Sequence, residues 1–118
     1  MTTFTRLLLS GSTSGREIPV VAVATPGTAI HTAVAGGVAF DELYLWATNV
    51  TNAVATLTLE WGGVTDPGDH MVKQFSIPAN SAPIPIATGQ NLNGGLLVKA
   101  FSGTASAINI SGFVNRIQ

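Results

Sequence analysis

The side chains that could do chemistry are few in this sequence, and they are widely spaced. The 118 residues include six acids, two histidines and no cysteine. Thiolate metal sites and disulfides are therefore excluded, and a metal centre would need a histidine together with carboxylates. His70 follows Asp69 and lies near Asp66, so a loop metal site is one interpretation. We expect instead that His70 is a structural or solvated histidine.

The segment Asp66-Pro67-Gly68-Asp69 could also suggest calcium, which binds carboxylates and carbonyls in loops. It lacks the alternating acids of an EF-hand, and two acids are too few for a tight site. We interpret it as an Asx-type turn between two strands. His31 stands between Ile30 and Thr32 in an apparent strand, and we interpret it as a hydrogen-bonded or exposed strand residue.

No pattern in the sequence points to catalysis. A hydrolytic triad needs a positioned nucleophile and base, and there is no G-x-S-x-G elbow. The glycine pairs do not open a helix, so none forms a phosphate cradle. Paired carboxylates could still meet in the fold. The available acids are Glu17, Asp41, Glu42, Glu60, Asp66 and Asp69. We expect no enzyme activity, no cofactor and no metal.

The charge content is the most informative bulk property. Only 9% of the residues are charged, against about 25% in an ordinary soluble domain, while 46% are hydrophobic. A free monomer usually relies on charge to keep identical copies apart, so the composition favours a subunit packed against neighbours. The net charge of −1 and five scattered basic residues argue against a nucleic-acid partner.

Membrane insertion and export are also not expected. The apolar run near the N-terminus is only Leu7–Leu9, well short of the about 7–15 residues of a signal-peptide core. No stretch approaches the about 20 apolar residues of a membrane-spanning helix. We therefore expect no signal peptide and no membrane partner.

The apolar residues recur with a period of two, which predicts strands. We predict a single-domain antiparallel β-sandwich over residues 1–118, all-β and jelly-roll-like, with eight to nine short strands. Residues 1–16 could form an N-terminal arm or an exchanged strand, because the polar Gly11–Gly15 segment could act as a hinge. The predicted strands are 3–10, 17–24, 28–34, 41–49, 55–61, 70–77, 84–88, 96–101 and about 107–114.

The alternation also assigns the faces of individual strands. In residues 55–61 it places Leu57, Leu59 and Trp61 on a dry face, and Thr58 and Glu60 on a wet one. The predicted core residues are Leu57, Leu59, Trp61, Ile108 and Ile110.

Two strands, 43–47 and 96–101, are apolar on both faces. Their outer faces must be covered, either by a loop of the same chain or by another subunit. The candidate residues for an interface with another subunit or with a capsid are Tyr44, Trp46, Leu97, Phe101 and Phe113.

Several short segments of the sequence resemble those of small structural proteins of tailed bacteriophages. They lie within residues 40–117 and are TNVTN (48–52), ATLTLEWGG (55–63), IPANS (77–81), PIPI (83–86), LNGGL (92–96) and INISGFVNRI (108–117). The resemblance implies a virion component of the capsid decoration, or cement, type. Such proteins resemble clamps that sit on the shell, commonly as trimers.

The resemblance therefore implies two partners: the chain itself, as a homo-oligomer with a trimer favoured, and the major capsid protein of a phage shell. It implies a location on the capsid surface after synthesis in the host cytoplasm. Two alternatives remain open at this stage. One is a phage tail, fibre or baseplate module, and the other is a carbohydrate-binding jelly-roll module.

Overall fold

The computed structural model describes residues 2–118 and contains nine strands, all paired antiparallel. Their bounds are β1 Phe4–Leu8, β2 Ile18–Pro19, β3 Thr28–Thr32, β4 Phe40–Asn49, β5 Ala55–Trp61, β6 His70–Ile77, β7 Ile84–Leu92, β8 Leu97–Ser102 and β9 Ile108–Ile117. The strands form two packed sheets, and the predicted antiparallel β-sandwich is confirmed.

The strand order is that of a jelly roll. Sheet A has the order β1-β9-β4-β7, with β2 also paired to β9, and sheet B has the order β3-β8-β5-β6. The pairs β5–β6, β4–β7, β3–β8 and β2–β9 are nested in the sequence, and successive pairs alternate between the sheets. One long hairpin rolled across two sheets gives this order.

The core lies between the two sheets and follows the alternation of the strands. In β4, Leu43, Leu45 and Ala47 are buried in the core, while Tyr44 and Trp46 face outward. Leu57, Leu59, Ile108 and Ile110 are also fully buried. Trp61 packs against this core but remains partly exposed at its rim, where its Nε1–H points to the Asn91 carbonyl at 3.4 Å. Trp61 is the last residue of β5, so its side chain lies at the end of the strand rather than in its middle.

Two predicted strands differ most from their observed lengths. The second is reduced to Ile18–Pro19, because the chain then turns away from sheet A and the Val21 and Ala22 amides donate to the Thr28 hydroxyl at 3.2 and 3.1 Å. The seventh continues through the predicted loop 89–95 as far as Leu92. Its pairing with β4 is interrupted by bulges, which break the regular alternation that sequence analysis depends on.

The predicted wet face of β5 is wrong, because Glu60 and Thr58 are buried with 0% and 2% of their surface exposed. The loop 20–27 covers this part of sheet B. The Glu60 carboxylate accepts hydrogen bonds from the Thr25 hydroxyl at 2.5 Å and the Gly27 amide at 2.7 Å. The Thr58 hydroxyl accepts the Gln74 amide at 3.1 Å. At Glu60, the outer face of β5 is thus covered by the loop 20–27 of the same chain.

Candidate functional site

An aromatic ladder crosses the outer face of sheet A. The Arg6 guanidinium carbon lies 3.8 Å from the centre of the Phe113 ring. On β4, the Tyr44 ring stacks on Phe113 with centroids 5.0 Å apart and an interplanar angle of 14°. Trp46 lies 6.2 Å from Phe113 at 28°. Three strands, β1, β9 and β4, thus contribute to one aromatic surface that carries a cation.

The pairing register produces this arrangement. Tyr44 is opposite Phe113, and Phe113 is opposite Leu8, so three outward side chains form one row across the sheet. Cross-strand aromatic pairs of this kind add to the stability of a sheet. At Gly112, a Cβ atom would collide with the Tyr44 carbonyl oxygen, so only glycine permits the close approach of β9 to β4.

A groove of about 530 Å³ lies beside the ladder at the edge of sheet A. The strand pairing explains its position. Along one edge of β9, β1 pairs with residues 113–117 and β2 pairs with residues 109–110, and the groove lies in the gap between β1 and β2. The lining residues are Arg6, Leu7, Leu8, Trp46, Ser111, Gly112 and Phe113. The groove therefore combines apolar walls with one guanidinium and one hydroxyl.

The five candidate interface residues fall into two groups. Tyr44, Trp46 and Phe113 come together on the outer face of sheet A. Leu97 and Phe101 belong to β8 and lie on the opposite side of the sandwich, on sheet B. The Phe101 ring meets the His70 ring edge-on with centroids 6.2 Å apart. Leu97 lines a small cavity of about 120 Å³.

Sequence reasoning missed the contribution of β1 to this surface. Phe4 and Leu8 are 70% and 58% exposed, and both point outward with Arg6. The alternation in residues 4–8 could have placed these three side chains on one face of a strand. Nothing local indicates that this strand pairs with β9, so their position beside Phe113 could not be inferred.

A buried polar cluster lies inside one end of the sandwich. Asp41 is fully buried, and its carboxylate accepts Nε of Arg116 at 2.8 Å and Nη2 at 3.0 Å. It also accepts Nε2–H of His31 at 2.8 Å and the Val34 amide at 3.2 Å. Since the Ser10 amide donates to Nδ1 of His31 at 3.0 Å, the proton of the imidazole is on Nε2.

The electrostatics of this cluster favour the ionised carboxylate. Burial raises the pKa of Asp41, but the hydrogen bonds from Arg116 and His31 outweigh it and hold that pKa below its usual value. The same contact with Asp41 raises the pKa of Arg116. Because both ring nitrogens of His31 are occupied and the carboxylate is enclosed, no substrate can reach the pair. We interpret the cluster as structural.

His70 lies at the start of β6, in the region of the imagined metal site. Its side chain is 5% exposed, and its Nδ1 is 3.5 Å from the Asp66 carboxylate. Lys73 binds the same carboxylate at 2.7 Å, and this hydrogen bond lowers the pKa of Asp66. Asp69 instead accepts the Thr65 amide at 3.0 Å within the turn. In residues 2–118 no group of three or more histidine, aspartate or glutamate side chains is placed to hold a metal ion.

Comparison with known proteins gives no relative: no family model, curated protein or solved structure matches the chain. None of the described residues belongs to a helix long and apolar enough to cross a membrane. Inference about function therefore depends on the surfaces of the sandwich, and above all on the aromatic face of sheet A.

Proposed function

We propose that this chain is a non-enzymatic structural subunit of a virion, which decorates the head of a tailed bacteriophage and bridges neighbouring shell subunits. The proposal joins the resemblance of residues 40–117 to the properties of the surface. The resemblance implies self-association and contact with the major capsid protein.

The observation that carries the proposal is a surface rich in apolar groups and poor in charge. Two of the six acids, Asp41 and Glu60, are fully buried, so the surface is even less charged than the composition indicates. Large apolar side chains are exposed on both sheets and in the loops. They are Phe4, Leu8, Val21, Val23, Val38, Val50, Val54, Val64, Phe75 and Leu96. Apolar groups on several sides suit a subunit with several neighbours.

The proposed mechanism is added contact area combined with multivalency. A shell presents many copies of one site, and the contacts of a single subunit add when several subunits are held together. Each bridge between shell subunits then opposes the outward pressure of packaged DNA. Such a role needs exposed apolar and neutral polar surface, and it needs no catalytic group.

The two alternative functions fit the surface less well. A tail, fibre or baseplate module would use the same apolar contacts, but the sequence has no internal repeat of the kind that builds a fibre. A carbohydrate-binding module would need free aromatic faces for the sugar rings. The groove beside Trp46 favours it, whereas the two faces of Phe113 are already occupied by Arg6 and Tyr44.

The test is co-sedimentation of the purified protein with undecorated heads built from the capsid protein of the same genome. We expect binding to assembled heads and none to isolated capsid subunits, because the site forms where shell subunits meet. With five basic residues in the chain, few ion pairs can be screened, so binding should persist in 1 M salt, where the Debye length is about 3 Å. Loss of binding at high salt would contradict a neutral interface.

Failure to bind any shell would remove the decoration function. A glycan array with the same protein then separates the remaining alternatives. Retention on the array, lost with Trp46→Ala and kept with Phe101→Ala on the opposite sheet, would favour the carbohydrate-binding module.

A further inference from the structure

The outer face of sheet A carries one cation and one anion in a single row. Arg6 on β1 and Glu42 on β4 are both opposite Asn115 on the central strand β9. Among the described residues these are the charged side chains that the strands of sheet A direct outward, since Asp41 and Arg116 point into the sandwich. Two strand spacings of about 4.8 Å place them about 10 Å apart.

Neither charge has an ion-pair partner among the described residues. The ion pairs of residues 2–118 centre on the carboxylates of Asp41 and Asp66. Arg6 is exposed and is held over the Phe113 ring, and Glu42 is only partly buried. A partner surface that complements this face must therefore offer a carboxylate opposite β1 and a cation opposite β4.

The same face of a second copy meets this requirement. We infer that the outer face of sheet A packs against itself about a two-fold axis that runs along β9. This rotation leaves each residue at the same position along the strand direction, and it places β1 of one copy over β4 of the other. The partner's Arg6 then lies opposite Glu42, and the partner's Glu42 lies opposite Arg6. The isologous interface therefore contains two ion pairs, and each of the four charges is paired once.

The neighbouring rows match in the same way. In the row of Ile117, the rotation places Phe4 opposite Phe40 of the partner subunit. In the row of Phe113, it places Leu8 opposite Tyr44 of the partner subunit. In these three rows the β1 and β4 side chains thus join apolar to apolar or cation to anion, and on β9 Asn115 meets its own copy, so no like charges meet. Two facing sheets pack about 10 Å apart, which arginine and glutamate side chains can span together.

The two-fold axis sets β9 against β9 and β1 against β4, while β7 lies beyond the edge of the partner's sheet. The contact is therefore concentrated on residues 113–117 of β9 and the residues of β1 and β4 paired with them. This inference concerns self-association alone. It replaces the trimer that the resemblance implies with a two-fold pair, and it stands whether or not the protein decorates a virion.

Charge exchange tests the pairing directly. Light scattering after gel filtration, at micromolar concentrations, should give the wild type twice the protomer mass of 12.1 kDa. Arg6→Glu and Glu42→Arg should each raise the dimer Kd at least about tenfold, because each places like charges opposite one another. The double variant Arg6→Glu with Glu42→Arg restores both pairs and should regain the wild-type Kd.

Matched controls come from Arg16 and Glu17, which are adjacent in sequence, exposed, and belong to none of the strands of sheet A. Arg16→Glu and Glu17→Arg should leave the Kd unchanged, and circular dichroism should show all variants folded. A wild-type mass of one or three protomers would overturn the two-fold pairing. Single variants that dimerise normally, or a double variant that is not rescued, would overturn the role of this face. The shell-binding assay gives its result independently of these measurements.

Discussion

Removing the charge of Asp41 is the most informative perturbation of the fold. Asp41→Asn keeps the shape of the side chain but leaves one oxygen where the structure has two acceptors. In the wild type the carboxylate accepts four hydrogen bonds, two from Arg116, one from His31 and one from the Val34 amide. The side-chain NH₂ group of asparagine would place N–H donors against the N–H groups that bind the carboxylate in the wild type.

The expected loss is about 3–5 kcal/mol, the range for removing one partner of a buried ion pair. For 118 residues, an unfolding entropy of about 2.1 cal/mol/K per residue gives about 0.25 kcal/mol/K in total. The melting temperature should therefore fall by about 12–20 °C. The matched control is Glu17→Gln, an exposed acid, which should change stability by no more than about 0.5 kcal/mol.

Urea unfolding followed by circular dichroism measures both variants, and repeating it across pH tests the electrostatic argument. Because the folded-state pKa of Asp41 is lowered, its contribution is present above the unfolded value of about 3.9 and is lost as pH falls through the folded value. The stability difference between wild type and Asp41→Asn should therefore shrink below about pH 4. An Asp41→Asn loss as small as that of Glu17→Gln, or a difference constant with pH, would refute the reasoning.

Three further substitutions test other parts of the structure. Leu59→Ala should cost about 2–5 kcal/mol in urea unfolding, and Thr58→Ala about 1–2 kcal/mol because the Gln74 amide loses its acceptor. A negligible Thr58→Ala effect would mean that this face of β5 is wet after all. Glu60→Gln should speed hydrogen exchange in the loop 20–27 while the rest of the chain exchanges as before. Gly112→Ala should prevent stable folding, and a soluble variant with unchanged melting would contradict the close strand approach at that position.

The burial of β4 and of β5 could each be inferred only in part from sequence. In β4, alternation places Leu43 and Leu45 on one face and Tyr44 and Trp46 on the other, both apolar, and the structure buries the two leucines. In β5 the same alternation identifies buried Leu57 but assigns Glu60 to solvent, where the loop 20–27 covers it. Alternation tells which side chains share a face, and it carries no information on what lies over that face.

The candidate site divides in the same way. Sequence alone identifies three large aromatic residues in strands, Tyr44, Trp46 and Phe113. That Arg6 lies beside them depends on the pairing of β1 with β9. Leu97 and Phe101 look equivalent to them in sequence and lie on the opposite sheet. A sandwich has two outer faces, and residue type alone does not distinguish them.

By itself the sequence determined the all-β class, the positions of most strands and the scarcity of charge, because each depends on composition or on a period of two along the chain. The tertiary structure decided the jelly-roll order, the cover over Glu60 and the ion pair of Asp41 with Arg116, which are 75 residues apart. Those features arise from hydrogen bonds between segments distant in sequence, and no local pattern specifies which of several similar strands will form them.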